Sequence, residues 1–213
     1  DEINAYITGL VPPRPDEVQQ MEQIAERDKF PIIGPACGQL IYLLTRLIGA
    51  KQVFELGSGY GYSTYWFAKA VRENGGGAVH HTVWDQDLSN RARTHLTNLG
   101  LIDLVTFHVD EAVKTLRSVG GTYDIVFCDI DKHGYPEALD ALDAHLRPGG
   151  LIIFDNFLLH GGVLPSHTPK PPKDPAKDNR AGVLKATDKI FRTPKWIASL
   201  VPLRDGVAVA MKA

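Results

Sequence analysis

Cysteine is scarce: only Cys37 and Cys128 occur in 213 residues, each among small or apolar neighbours. Two isolated cysteines argue against a disulfide framework and for reduced core residues, so a cytoplasmic protein is expected. Long apolar runs are missing too. No stretch approaches the roughly 18 consecutive apolar residues of a membrane-spanning helix, and the opening DEINAYITGL is acidic rather than signal-like. Charge of either sign is in short supply as an excess. A formal net charge of −2 removes any global attraction to nucleic acid or anionic lipid and leaves only local basic patches to consider. No internal repeat is present, which excludes a repeat architecture.

What is present is an ordinary globular composition, 44% hydrophobic and 23% charged, at a length that suits one domain spanning 1–213. An N-terminal helical segment covers 1–50. A helix is expected from about Asp16, and a second one places Leu40, Leu43, Leu44 and Leu47 at helical spacing before Gly49. From KQVFELG onward, short apolar runs alternate with helical segments. That order predicts an α/β, Rossmann-like, doubly wound and mostly parallel sheet with helices on both faces. HGGVLPSHTPKPPKDPAKDNRAG then breaks the pattern with five prolines, giving a lid or mobile loop over about 160–182. A last helix, VLKATDKIF, precedes IASLVPLRDGVAVAMKA, an expected antiparallel C-terminal hairpin.

In such sheets ligands bind beyond the carboxyl ends of the strands. The first end is VFELGSGYGYS, where Gly57, Gly59 and Gly61 let the backbone turn sharply and approach a ligand. The spacing is G-x-G-x-G, not the dinucleotide G-x-G-x-x-G, because Tyr62 fills the sixth place. A tight turn alone needs only one glycine. The next two strands end in WDQD and HVDEA, bringing Asp85, Asp87, Asp110 and Glu111 to the same rim. Asp85 and Asp87 suit ribose hydroxyls or a helix cap. An acidic rim fits a nucleoside better than a pyrophosphate, which wants cations and bare amides.

YDIVFCDIDK and GGLIIFDN are two apolar strands whose ends carry Asp129, Asp131 and Lys132, and Asp155 and Asn156. One strand–helix–strand unit separates them, so neighbouring strands would present Asp129, Asp155 and Asn156 side by side. Two carboxylates and an amide oxygen are hard ligands that suit Mg²⁺, Mn²⁺ or Ca²⁺ and disfavour zinc. Solvated strand ends and an ion pair of Lys132 with Asp131 or Glu137 are the plainer reading.

ELGSGYGYST, WDQD, CDIDKHGY and LRPGGLIIFDNFLLHGGV together resemble the metal-dependent O-methyltransferases related to catechol and caffeoyl-CoA O-methyltransferases, from roughly Pro35 to Val163. VPLRDGVAVAMK is a weaker echo, and INAYITGLVPPRP is similar to small bacterial members, some of which methylate hydroxyuridine in transfer RNA. The resemblance implies S-adenosylmethionine as cofactor. Glu55, Gly57 and Gly59 would line its methionine end with Ser63 nearby, Asp85 would take the ribose, and Asp110 with the Glu111 backbone would hold the adenine. It assigns the metal to Asp129, Asp155 and Asn156, with Asp129 also at the cofactor. Lys132 becomes the general base, its pKa lowered by the nearby cation. Asp131 contacts cofactor or supports the base, and is not given to the metal. A homodimer is expected from relatives, with the N-terminal helices as candidates.

His133 and His160 either assist at this site or are solvated. Trp84 packs on adenine or in the core; one of Tyr60 and Tyr62 shields the methyl group, and Tyr135 follows the lysine as a family aromatic or simply opens a helix. The expected acceptor is a catechol-like small phenol. Methylation of 5-hydroxyuridine in transfer RNA is the alternative, and it would use Lys170, Lys173, Lys177, Arg180 and Lys185, a patch diluted by Asp174 and Asp178. The G-x-G-x-G spacing and the Asp–Asp–Asn set count against a Rossmann oxidoreductase, and the presumed base and ligands count against a non-catalytic binding module.

Overall fold

The structure, a computed structural model, describes residues 2–167 and 170–213. Thr168 and Pro169, inside the expected proline-rich loop, lie outside the described residues. Three helices open the chain: α1 (Glu2–Gly9), α2 (Asp16–Asp28) and α3 (Gly34–Leu47). Asp16 and Glu17 occupy the first turn of α2, where carboxylates meet the positive end of the helix dipole. Strands and helices then alternate as β1 (Gln52–Leu56), α4 (Tyr62–Glu73), β2 (Ala78–Val83), α5 (Gln86–Asn98), β3 (Val105–Val109), α6 (Ala112–Val119), β4 (Tyr123–Cys128), α7 (Tyr135–Leu142) and β5 (Leu146–Phe154). The chain closes with α8 (Asn179–Phe191), β6 (Trp196–Val201) and β7 (Val207–Lys212).

The seven strands form one sheet in the order β3-β2-β1-β4-β5-β7-β6. β1 to β5 pair in parallel, and β7 inserts antiparallel between β5 and β6, as expected of a terminal hairpin. Side chains alternate across the central strands because the strand period is two residues. Val53, Ile125 and Ile153 join Met21, Ile41, Phe67 and Leu96 on one face. Phe54, Val126 and Ile152 join Leu116, Leu139, Val183 and Ile190 on the other. Withdrawing each such side chain from water contributes about 1.5–3 kcal/mol before entropy is counted. Both faces are therefore covered, the condition for a parallel sheet.

The helical spacing in α3 is real, and Leu40 and Leu44 pack partly buried against the core, but the most buried face belongs to smaller residues. Ala36, Cys37, Gly38, Ile41 and Thr45 are buried, while Leu43 and Leu47 are 49% and 70% exposed. Small residues win the core side because α3 packs closely on α4: a Cβ on Gly38 would stand 2.1 Å from Trp66 Nε1. The proline-rich connection is also shorter than expected, because α8 starts at Asn179 rather than inside VLKATDKIF. Asp178 caps it, its Oδ1 accepting from Ala181 N at 3.0 Å, a favourable N-terminal signal.

The order of strands reverses at β1, with β2 on one side and β4 on the other. The crevice outside the carboxyl ends of β1 and β4 is thus the switch point of the sheet.

Candidate active site

β1 ends at Leu56, and the chain turns at Gly57 with φ +88°. A Cβ there would lie 2.5 Å from the Asp129 carbonyl oxygen, so only glycine lets the ends of β1 and β4 meet this closely. Gly61, at φ +93°, is the N-cap of α4. Glu55, one residue before the strand end, is fully buried and accepts hydrogen bonds from Ser63 Oγ and Thr64 Oγ1, each at 2.5 Å. Thr64 Oγ1 also meets His81 Nδ1 at 3.0 Å. Burial pushes the Glu55 carboxyl up to about 7, opposed by these hydroxyl donors. Glu55 does not reach the cavity wall. Ser63 does, and Glu55 meets the cavity only through its hydrogen bond from Ser63.

A cavity of about 1070 Å³ opens above this cradle. Gly57, Gly59 and Ser63 form one part of its wall, Trp84, Asp110 and Glu111 a second, and Asp129, Asp131, Lys132, Asp155 and Asn156 a third. Asp85 is not on the wall: its Oδ1 accepts from Leu88 N at 2.8 Å and caps α5. Trp84 is on the wall and 80% exposed, which rules out the core for it. Asp110 Oδ1 takes the Glu111 N–H at 2.7 Å, and its Oδ2 takes Lys114 Nζ at 2.7 Å. The Glu111 amide expected for adenine is thus already engaged. The Glu111 carboxylate caps α6, accepting from Val113 N and Lys114 N at 2.9 and 2.6 Å.

Strand register explains the acidic pair. Cys128 pairs with Phe154 across β4 and β5, so the following residues, Asp129 and Asp155, leave adjacent strands at one level. Asp155 is 3% exposed, and its Oδ1 is buried with no hydrogen-bond partner. Burial first, and the Asp129 charge second, push its carboxyl up to about 6. An unpartnered buried carboxylate oxygen is costly, and a hard cation would satisfy it. Asn156, at φ +50°, turns the chain at the same edge. Among the described residues no cluster of three or more His, Cys, Asp or Glu could hold a metal; Asn156, the third expected donor, lines the same cavity as Asp129 and Asp155. With two carboxylates and the Asn156 amide oxygen, the set fits Mg²⁺, Mn²⁺ or Ca²⁺.

Lys132 lies in a short 3-10 turn, Lys132–Gly134, between β4 and α7. Its Nζ donates to Asp129 Oδ1 at 2.9 Å and to Ile130 O at 3.0 Å. The expected rival partners are not used: Glu137 pairs with Arg117 at 2.9 Å. His133 lines the cavity, whereas His160 does not and its side chain is 90% exposed. Tyr135 is buried beneath the site and donates to Asp155 O at 2.6 Å, bracing the end of β5. Tyr60 and Tyr62 line the cavity but spend their hydroxyls on Met21 O and Glu22 Oε1, at 2.9 and 2.7 Å.

Sequence reasoning missed three features. Phe30, Pro31, Ile32 and Ile33, between α2 and α3, wall the cavity; an apolar run between two helices was the available signal. Arg204, in the β6–β7 turn, reaches Asp155 Oδ2 at 3.5 Å. The start of α8 supports the lysine turn, with His133 N donating to Asn179 Oδ1 at 2.9 Å. The last two depend on contacts between distant segments and leave no local pattern.

Residues 16–213 match the O-methyltransferase family. The chain belongs to that family. The match extends well beyond the stretch whose motifs first suggested it. This O-methyltransferase is 28% identical to a catechol O-methyltransferase of Niastella koreensis, over 99% of its own length and 96% of the relative's. It is 30% identical to caffeoyl-CoA O-methyltransferase 2 of Zea mays, across 79% of this chain and 67% of that one. A methyltransferase structure from Geobacter sulfurreducens superposes with a TM-score of 0.80 at 27% identity, covering 99% of this chain and 96% of that one. The O-methyltransferase TomG from Streptomyces achromogenes, solved in complex with SAM, shares the fold at a TM-score of 0.86 and 24% identity, covering 100% and 96% of the two chains.

Proposed function

We propose that this O-methyltransferase transfers the methyl group of S-adenosylmethionine to one hydroxyl of a catechol-like small phenol, using a divalent cation held by Asp129, Asp155 and Asn156. The observation that carries this reading is the unpartnered, buried Asp155 Oδ1 beside Asp129, in the same cavity as the glycine cradle and Lys132. The name of the Niastella relative and the SAM bound to TomG support the substrate class and the cofactor.

The backbone at Gly57 and Gly59 and the Ser63 hydroxyl receive the methionine end of the cofactor. Trp84 offers an aromatic face to the adenine, and Asp110 and Glu111 flank it. A divalent cation, when bound, supplies charge that favours the ionised acceptor hydroxyl and a template for two vicinal oxygens. Lys132 Nζ accepts the acceptor's proton, and Asp129 compensates the resulting ammonium. The acceptor oxygen then attacks the methyl carbon in line with the departing sulfur. The C–S bond breaks as the O–C bond forms, leaving a neutral thioether.

Two further assignments accompany this reading. Tyr6, Leu10, Leu43 and Leu47 are large apolar residues exposed on α1, its end and α3, and we place the homodimer contact there. Cys37 and Cys128 are both buried and free, which supports a reducing, cytoplasmic setting; among the described residues no helix is long and apolar enough to cross a membrane. The transfer-RNA alternative draws less support. Arg180, one of its proposed phosphate contacts, instead donates to Gly162 O at 2.8 Å.

The test is a mass-spectrometric methylation screen offering caffeic acid, dopamine and hydroxyuridine-containing transfer RNA, with and without chelator. A methylated catechol is expected, lost on chelation and in Asp155→Ala. Full activity without divalent metal refutes the mechanism; methylation of the RNA alone selects the alternative.

A further inference from the structure

Two cations face the two candidate metal-ligating carboxylates. Lys132 Nζ lies 2.9 Å from Asp129 Oδ1, and Arg204 Nη1 lies 3.5 Å from Asp155 Oδ2. They differ in freedom. Lys132 carries a point charge on a flexible stem and already shares its ammonium with Ile130 O. Arg204 is fixed: its Nη1 also donates to Ile33 O, and its stem lies against the start of α3, with Cδ 3.8 Å from where a Gly34 Cβ would stand. The backbone at Arg204 is itself left-handed, φ +51°, so the side chain leaves a tight turn in one direction.

We infer that Arg204 is a built-in placeholder cation, neutralising Asp155 in the metal-free protein and loosening the hold of the site on its divalent ion. This rests on the metal assignment proposed above. When a metal arrives, Lys132 can swing to another acceptor, whereas Arg204 stays anchored to the Ile33 carbonyl. The incoming ion therefore meets two carboxylates already offset by one fixed positive charge, which repels it at a few ångströms across a half-exposed cavity wall. Meanwhile, in the metal-free protein, the buried Asp155 and the half-buried Asp129 are each matched by one cation, which offsets their mutual repulsion. The opposite role, Arg204 aiming Asp155 Oδ1 at the metal, predicts the opposite sign on removal.

Mn²⁺ binding to purified protein, read from the electron paramagnetic resonance of the free ion, decides between them. Arg204→Gln is expected to bind Mn²⁺ at least about tenfold more tightly than wild type. Arg204→Lys, which keeps the charge, should stay near wild type. Arg204→Met retains the stem packed at Gly34 and should tighten binding like Arg204→Gln, covering the case in which the glutamine variant fails to fold. Unchanged or weaker Mn²⁺ binding in the folded neutral variants, with binding still abolished in Asp155→Ala, overturns the placeholder role and leaves the metal assignment standing. A wild-type protein that binds no Mn²⁺, or an Asp155→Ala variant that binds like wild type, removes the metal assignment and the placeholder with it.

Discussion

Replacing Gly182 with alanine should damage methyl transfer from outside the cavity. Gly182 lies in the first turn of α8, against the turn that carries Lys132. A Cβ there would stand 2.1 Å from Lys132 O, 2.6 Å from His133 Cα and 2.8 Å from Lys132 C. All three are backbone atoms, so no rotamer change relieves the clash. Reaching ordinary contact requires the helix or the lysine turn to move by more than about 1 Å, a displacement that can cost on the order of a hundredfold when it misplaces a reacting group. Helix propensity pulls the other way, since alanine is better than glycine by about 1 kcal/mol in a helix interior. Overpacking costs about 1–3 kcal/mol, so the steric effect wins and the melting temperature should fall modestly. The expected result is a folded protein with kcat reduced about tenfold to a hundredfold and nearly unchanged affinity for S-adenosylmethionine, because the glycine cradle is not touched. Steady-state kinetics, calorimetric cofactor binding and a thermal melt measure the three quantities. A variant with wild-type kcat and a raised melting temperature would refute the claim that α8 holds the lysine turn in place.

Glu55 and His81 should give opposing pH dependences of stability. The folded Glu55 carboxyl sits at about 7, above its ordinary 4.5, so its contribution is lost as pH rises through that window. His81, pushed down to about 3 by burial, stays neutral in the fold, so its contribution is lost as pH falls below 6.5. Between them each slope is about 1.4 kcal/mol per pH unit. Glu55→Gln removes one slope, so the variant should lose about 2–3 kcal/mol relative to wild type on acidification from roughly pH 6.5 to 4.5; parallel urea midpoints for the two proteins would show that Glu55 does not hold its proton. Trp84→Ala should weaken S-adenosylmethionine binding by about 1–3 kcal/mol through lost stacking while leaving the melting temperature unchanged, since the ring is already exposed. Titration calorimetry checks this, and equal affinity would return Trp84 to an incidental surface role.

Much of the fold is legible in the sequence alone. Alternating short apolar runs and helical segments predicted the doubly wound sheet, because hydrophobic period is a local property of the chain. Cys128 and Phe154 pairing across β4 and β5 turned a spacing in sequence into a carboxylate pair in space. Periodicity was less informative about which face of a helix is buried. Leu43 and Leu47 of α3 share the helical spacing yet stay exposed, while Gly38 faces the core because Trp66 stands too close for anything larger. Asp85 shows a related limit: an aspartate before a helix serves a cap and a ligand equally well, and only the Leu88 N–H contact showed the cap in use.

The sequence by itself determined the sheet, the glycine turn and the identity of the acidic strand ends, because each is written in adjacent residues or in a short repeat. Only the tertiary structure decided that Glu55 is buried against Ser63, that Asp155 Oδ1 is left without a partner, and that Arg204 meets Asp155, and Gly182 the Lys132 turn, across more than 45 residues of chain. Those depend on burial and on contacts between distant segments, which a linear pattern does not encode.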